Sequence, residues 1–434
     1  MRSLRFRRRA MAAAALVLAA SLGACSTGGQ TGSTGTGAGP TEVTFSYLWS
    51  GNEAKVVEEV IAAFNASQDK VKVIGVSSPD FQKQLASMSA SEGSFDISDH
   101  FGNGVGAWAS KGVIAPLDEY IAADKVNMGD FLPAAVKQMT YDGKIYSMPV
   151  GISAFQLLYN KTLFAEAGIS TPPKTAEELA ADIAKLTKVD GSGNITQLGL
   201  GNPDLGTTIT TLGYAFGGTW DGPDNNTPTP NDPANVAALD FYKQNVIDKY
   251  GADNVTKFTA GLGQYMSAQD PFYTGKVAMV IDGNWQAVNI PKTMPNLDWG
   301  VTSIPVPAAK PELAGTTQLT VSTLFIPSNS KHKKEAFEFV NYMTSGQGAA
   351  MFTKGIGSLP PRTSLLSDPS YASIPQFSAW LTALQSPKVH ALGSGAYASQ
   401  YAADLAEALK SVTDGSATAQ AALDSVANKA KQYG

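Results

Sequence analysis

The stretch TEVTFSYLWSGNEAKVVEEVIAAFNASQDKVKVIGVS, residues 41–77, carries the first decision about the fold. Residues 42–48 alternate apolar and polar side chains and are rich in β-branched and aromatic types, the pattern of a half-buried strand. Trp49-Ser50-Gly51-Asn52-Glu53 interrupts it, and then Val56, Val57, Val60, Ile61 and Phe64 recur at helical spacing. Residues 71–76 read as a second strand. Strand, helix, strand in that order predicts a parallel pair joined by a crossover, the opening of an α/β sheet.

Working outward, the rhythm continues with a helix around 81–91, a short strand near 95–98 and a helix around 104–111. In such sheets ligands settle beyond the carboxyl ends of the strands, where the turns at 49–53 and 99–104 lie. A second block starts near Met148, with strands at 156–160, 196–201 and 277–281 and helices at 175–187 and 235–249. Between them, 217–233 is a loop rich in Gly, Pro, Asn and Asp that contains Trp220; loops of this length tend to be functional or mobile. The tail is helical at 334–344, 376–383, 401–412 and 419–431.

A length of 434 residues, 43% of them hydrophobic, suffices for two or more lobes with cores of their own. The formal net charge of −5 hides an asymmetry. Arg2, Arg5, Arg7, Arg8 and Arg9 open the chain and no acid precedes Glu42; without those five, 27 basic residues face 37 acidic ones, a balance of −10. A field of that sign repels phosphate backbones, so nucleic acid is not an expected partner. The single cysteine, Cys25, excludes an internal disulfide, a zinc ribbon and a Cys-x-x-Cys pair.

The arginines precede an apolar run at 10–22, too short for a bilayer span but right for the core of an export signal. It ends in Leu22-Gly23-Ala24-Cys25, which resembles the lipobox of bacterial lipoproteins. That resemblance makes 1–24 a signal peptide, by the general or the twin-arginine route, and Cys25 a lipidated N-terminus. Residues 26–40, STGGQTGSTGTGAGP, cannot bury apolar surface and read as a tether of about 20 Å reach. The expected location is therefore the outer side of a cell membrane, through the lipid anchor.

Several segments taken together resemble the family 1 extracellular solute-binding proteins of ATP-driven carbohydrate importers, the group that includes maltose-binding protein. They are Trp49-Ser50-Gly51, Pro149-Val150-Gly151 leading to Leu158-Tyr159-Asn160-Lys161, Phe272 to Met279 with Gly283-Asn284-Trp285, Lys334 to Phe339, and Leu359-Pro360-Pro361-Arg362. One departure is Thr320-Val321-Ser322-Thr323, which follows no glycine pair where many relatives carry one. The resemblance implies an α/β, two-lobed, type II periplasmic-binding-protein-like fold with three hinge crossings and a ligand cleft between the lobes. It sets crossings near 151–154, 299–302 and 326–330, giving a first lobe of 41–152 plus 300–326 and a second of 153–299 plus 327–434. It also implies a monomer that captures a sugar, specifically an oligosaccharide, without cofactor or metal, and hands it to the transmembrane subunits of an ABC permease.

A sugar offers hydroxyls that need partners and C–H faces that favour aromatic rings, so its site should mix aromatics with Asp, Asn, Glu and Arg. Trp49, Trp220 and Trp285 fall in turns or loops and read as stacking platforms, whereas Trp108 and Trp299 have core-like neighbours. Trp380, in an apparent helix, suits ligand or core equally. Asn52 and Glu53 sit in the first turn after the first strand, where a carboxylate is also a good helix-start residue. Asp99, His100 and Asn103 surround the end of the third strand, with Asp96 fitting a structural cap. Asp204 and Asn284 follow second-lobe strands, and Arg362 suits a hydroxyl clamp or an ion pair between elements. The competing class is an exported carbohydrate-active enzyme with a carboxylate pair; a third is a lipoprotein for a polyamine or phosphate ester, which would want several fixed charges. Against catalysis, His100, His332 and His390 are scattered, and no His-Glu-x-x-His, Gly-x-Ser-x-Gly or phosphate-loop motif occurs.

Overall fold

Burial alternates along β1 (Thr41–Tyr47), so Val43, Phe45 and Tyr47 point inward. In the computed structural model, which describes residues 39–224 and 226–433, this strand lies parallel to β2 (Val71–Ser77) from Thr41 opposite Val71 to Tyr47 opposite Ser77. The helix Gly51–Ser67 between them buries Ala54, Val57, Val60, Ile61 and Phe64, one stripe at the period the sequence shows. On its other edge β1 pairs with β3 (Ile97–Phe101), also parallel.

A small hairpin, β4 (Thr140–Tyr141) with β5 (Lys144–Ile145), leads into the long strand β6 (Ser147–Asn160). The remaining strands are β7 (Lys188–Val189), β8 (Ile195–Gly201), β9 (Val277–Gly283), β10 (Trp299–Thr302), β11 (Thr317–Phe325) and β12 (Val389–His390). They form one sheet in the order β2-β1-β3-β11-β6-β9-β8-β7, with β10 beside β6 and β12 beside β11. The sheet is thus a first half with parallel pairs β1/β2 and β1/β3 and a mixed second half, in which β8/β9 is parallel and β6/β9, β6/β10 and β7/β8 are antiparallel, joined through the antiparallel pair β6 and β11.

Each half carries its own apolar packing. Val43, Phe45, Val57, Phe64, Phe339 and Phe352 pack around the first half. Leu158, Ile183, Leu200, Ile209, Leu239 and Leu405 belong to a larger cluster around the second half, which continues beneath the first through Trp108 and Met139. The fold is α/β and two-lobed.

The lobe boundaries differ from the expected ones at two of the three crossings. β6 passes between the halves at 151–154, opposite Leu319 to Ser322 of β11, so β11 is itself a crossing strand. Trp299–Thr302 does not cross: it pairs with Leu157 to Asn160 inside the second half, and Ile304 and Val306 stay in the second cluster. Residues 326–330 do not return either, because β11 delivers the chain into the first lobe. There Ile326 and the helices Lys333–Met343 and Gly346–Ile356 pack with Phe337, Phe339 and Phe352 buried. The return comes at 357–359, where Ile152 and Leu359 exchange backbone hydrogen bonds of 2.9 Å each way. Gly151 is needed at this point, since a Cβ there would come 2.5 Å from the Ser358 hydroxyl. Cys25, the signal segment 1–24 and all but the last two residues of the tether lie outside the described residues.

Candidate binding cleft

A cavity of about 770 Å³ opens where the crossing strands run, floored by Thr320 to Ser322 and Gly357-Ser358. The first lobe contributes Trp49, Asn52 and Glu53 from the turn after β1, and Asp99, His100 and Asn103 from the end of β3. The second contributes Asp204, Asn284 and Trp285, each just beyond the carboxyl end of a strand. Nine of the twelve expected ligand residues therefore line one cavity.

The second-lobe wall is built around Asp282, the penultimate residue of β9. Its carboxylate accepts from Tyr265 Oη at 2.8 and 3.0 Å, from Gln286 Nε2 at 2.7 Å and from the Gly283 N–H at 2.8 Å. Tyr265 Oη in turn accepts from Trp285 Nε1 at 2.8 Å, and Phe155 meets the Trp285 ring edge-on at 5.7 Å and 84°. The indole is therefore held on one side by a hydrogen-bonded chain and on the other by an aromatic edge. Gly283 makes this possible, because a Cβ there would lie 2.1 Å from the Trp285 ring. Met266, beside Tyr265, takes a left-handed backbone (φ +59°) and donates its N–H to Asp270 at 2.7 Å, which fixes the loop carrying the tyrosine.

In the first lobe the buried Asp99 accepts the Leu48 N–H at 2.7 Å and so ties the turn after β1 to the end of β3. His100 packs edge-on to Trp108 at 4.4 Å and lies 3.2 Å by Nδ1 from the Phe101 carbonyl, an acceptor that requires the proton on Nδ1. Burial lowers its pKa, so it faces the cavity as a neutral ring. Trp49 rests edge-on against Phe352 at 4.8 Å.

Three expected residues lie elsewhere. Trp220 is fully buried, and its indole donates to the Thr210 carbonyl at 2.9 Å, so the polar loop around it conceals a core anchor. Trp380 is fully buried near Trp299, at 6.5 Å. Arg362 donates to the Thr344 carbonyl at 2.7 Å, pairs with Asp130 at 3.3 Å and lies 4.1 Å from the centre of the Phe131 ring; it braces the first lobe. Two residues in the cavity wall also have structural work. Asn284 accepts the Ala154 N–H at 2.9 Å and donates to the Gly357 carbonyl at 2.8 Å, tying two crossings together. Asp204 caps the helix Leu205–Ala215 through Thr207 N at 2.6 Å. Among the described residues no group of three or more His, Cys, Asp or Glu converges as a metal site, and no helix is long and apolar enough to cross a membrane.

Residues 30–350 match the family model described as bacterial extracellular solute-binding protein. The chain belongs to this family. It is a family of binding proteins, not of enzymes. A binding protein of Brucella abortus is 30% identical over 258 residues, covering 58% of this chain and about three fifths (59%) of that relative's length. The maltotriose-binding protein of Pyrococcus abyssi is 23% identical over 359 residues, covering 79% of this chain and 73% of that one. Among solved structures, a protein named CpMnBP1 with mannotriose bound superposes with a TM-score of 0.76 at 28% identity, covering 90% of this chain and 100% of that one. A Listeria monocytogenes ABC substrate-binding protein in complex with cycloalternan shares the fold, with a TM-score of 0.74 at 23% identity over 91% of this chain and 98% of that one.

Two carboxyls of this solute-binding protein make its stability depend on pH. Burial is the first cause that pushes Asp99 and Asp282 up from 3.8 to about 7. The Leu48 N–H opposes this for Asp99, as do Gln286, Gly283 and Tyr265 for Asp282. Below about pH 4 folded and unfolded chains both hold these protons; between about 4 and 7 only the folded chain does, so its stability falls as pH rises and then levels. Asp282→Asn should remove one share of that fall. The difference in melting temperature, variant minus wild type, should grow from about pH 4 to about 7 and then stay level. A difference constant with pH would show that Asp282 does not titrate in this window.

Phe155, Tyr265 and Asp282 were not among the expected site residues. Tyr265 lies in an aperiodic polar loop, and Phe155 lies in a buried strand with nothing local to mark which of its residues faces the cleft.

Proposed function

We propose that this chain captures an oligosaccharide between its lobes and delivers it to an ABC permease. The observation that carries this reading is the fixed Trp285 ring lining the same cavity as Asn52, Glu53, Asp99 and Asp204, an apolar face combined with hydroxyl partners. The 28% identical relative whose structure holds mannotriose supports the same class of ligand, as does the name of the maltotriose-binding relative. A ligand touching both lobes favours the closed arrangement by its extra contacts, and the permease reads that population. The reading includes export by the segment 1–24, lipid attachment at Cys25, a tether that leaves the lobes free outside the membrane, and action as a monomer without cofactor.

Isothermal titration of the purified full chain against manno- and malto-oligosaccharides should give saturable binding, with quenched tryptophan fluorescence and an unchanged sugar after prolonged incubation. Product formation would favour the exported-enzyme reading. Binding of polyamines or phosphate esters in place of every sugar would favour the other solute class.

A further inference from the structure

One wall of the cleft holds a buried amide with one unused end. Gln138, on the helix Pro133–Met139, is 2% exposed and lines the cavity. Its Nε2 donates to the Leu392 carbonyl at 2.7 Å, while its Oε1 has no hydrogen-bond partner. Turning the amide over would set Oε1 against that carbonyl, acceptor against acceptor, so its orientation is fixed. Oε1 stands beside Gly102, another cavity-wall residue, where a Cβ would come 2.6 Å from it. A buried acceptor in this position bears its desolvation cost until a donor reaches it.

The donor's surroundings are set by the segment 391–393. Tyr214 Oη donates to the Ala391 carbonyl at 3.1 Å and the Gly393 N–H donates to Asp221 at 2.7 Å, both second-lobe contacts, while Gln138 holds Leu392 from the first lobe. Just past this strap, Ser394 and Gly395 line a separate hollow of about 810 Å³. The strap thus stands between two hollows, with Leu392 lining the cleft.

Resting on the sugar-binding reading above, we infer that Gln138 is a specificity-determining contact whose Oε1 accepts a hydrogen bond from a hydroxyl of the terminal sugar unit lodged against 391–393. A deoxy position or a carboxylate there leaves the acceptor unmatched or opposed, so the site selects a neutral sugar end bearing that hydroxyl.

The test titrates the full chain with mannotriose, maltotriose and analogues in which single hydroxyls of either terminal ring are replaced by hydrogen. Wild type is compared with Gln138→Met and with Gln138→Asn, which keeps an amide in the buried site but withdraws it by one methylene. One terminal-ring deoxy analogue should bind wild type about tenfold more weakly than its parent, and both variants should bind parent and analogue alike. Equal deoxy penalties in wild type and variants would overturn the assignment of Gln138 and leave sugar binding standing. No saccharide binding by wild type would overturn both.

Discussion

Trp220→Ala should lower stability by about 3–5 kcal/mol and the melting temperature by roughly 5 °C for a chain of this length, with ligand affinity unchanged. The indole fills a fully buried site against the helix Leu205–Ala215, where Gly213 has no side chain to obstruct it: a Cβ there would lie 2.7 Å from the ring. Its backbone carbonyl accepts from Tyr401 Oη at 2.9 Å and from the Thr229 N–H at 3.0 Å, so the same residue pins the loop to the helix Ala398–Thr413. Alanine leaves a cavity too well framed to collapse, and the cost approaches the upper part of the range for a buried aromatic. Thermal and denaturant melts measure the loss, and titration with the bound sugar measures affinity. Near-native stability together with weakened binding would return Trp220 to the cleft.

The contrast between Trp220 and Trp285 marks where sequence stops deciding. Both sit outside periodic segments among Gly, Asn and Asp, and locally they read alike. What separates them is tertiary: Gly213 opens a socket for one, and Gly283 lets the other fold back over the end of β9. The opening strand, helix and strand were legible because periods of 2 and 3.6 are local properties of residues 41–77. Two of the three crossings were not, because β11 is a strand whose passage between lobes depends on pairing with β6 and leaves no mark in its own sequence. Cleft residues at strand ends, such as Asp99 and Trp285, were legible for a related reason: strand ends fix where a cleft can be. Gln138 was illegible, since an amide in a seven-residue helix reads as a solvated face until Leu392, 254 residues later, arrives beside it.

Trp285→Ala should weaken binding of the sugar by on the order of 1–3 kcal/mol, roughly fivefold to 150-fold, with a smaller effect on stability than Trp220→Ala. The half-buried indole has one edge against Phe155 and its N–H on Tyr265, so its mutation removes both a ready-made stacking face and the donor that helps set the tyrosine. Tyr265 still donates to Asp282, which limits the damage to that side of the cavity. Trp285→Phe separates the two contributions: a ring of nearly the same place and edge should recover most of the affinity, and what it does not recover belongs to the lost Nε1 donor. Isothermal titration of wild type, Trp285→Ala and Trp285→Phe with one oligosaccharide reads all three. Equal affinities across the set would exclude Trp285 as a ligand platform, and equal losses in both variants would assign its role to the hydrogen bond on Tyr265 instead of to stacking.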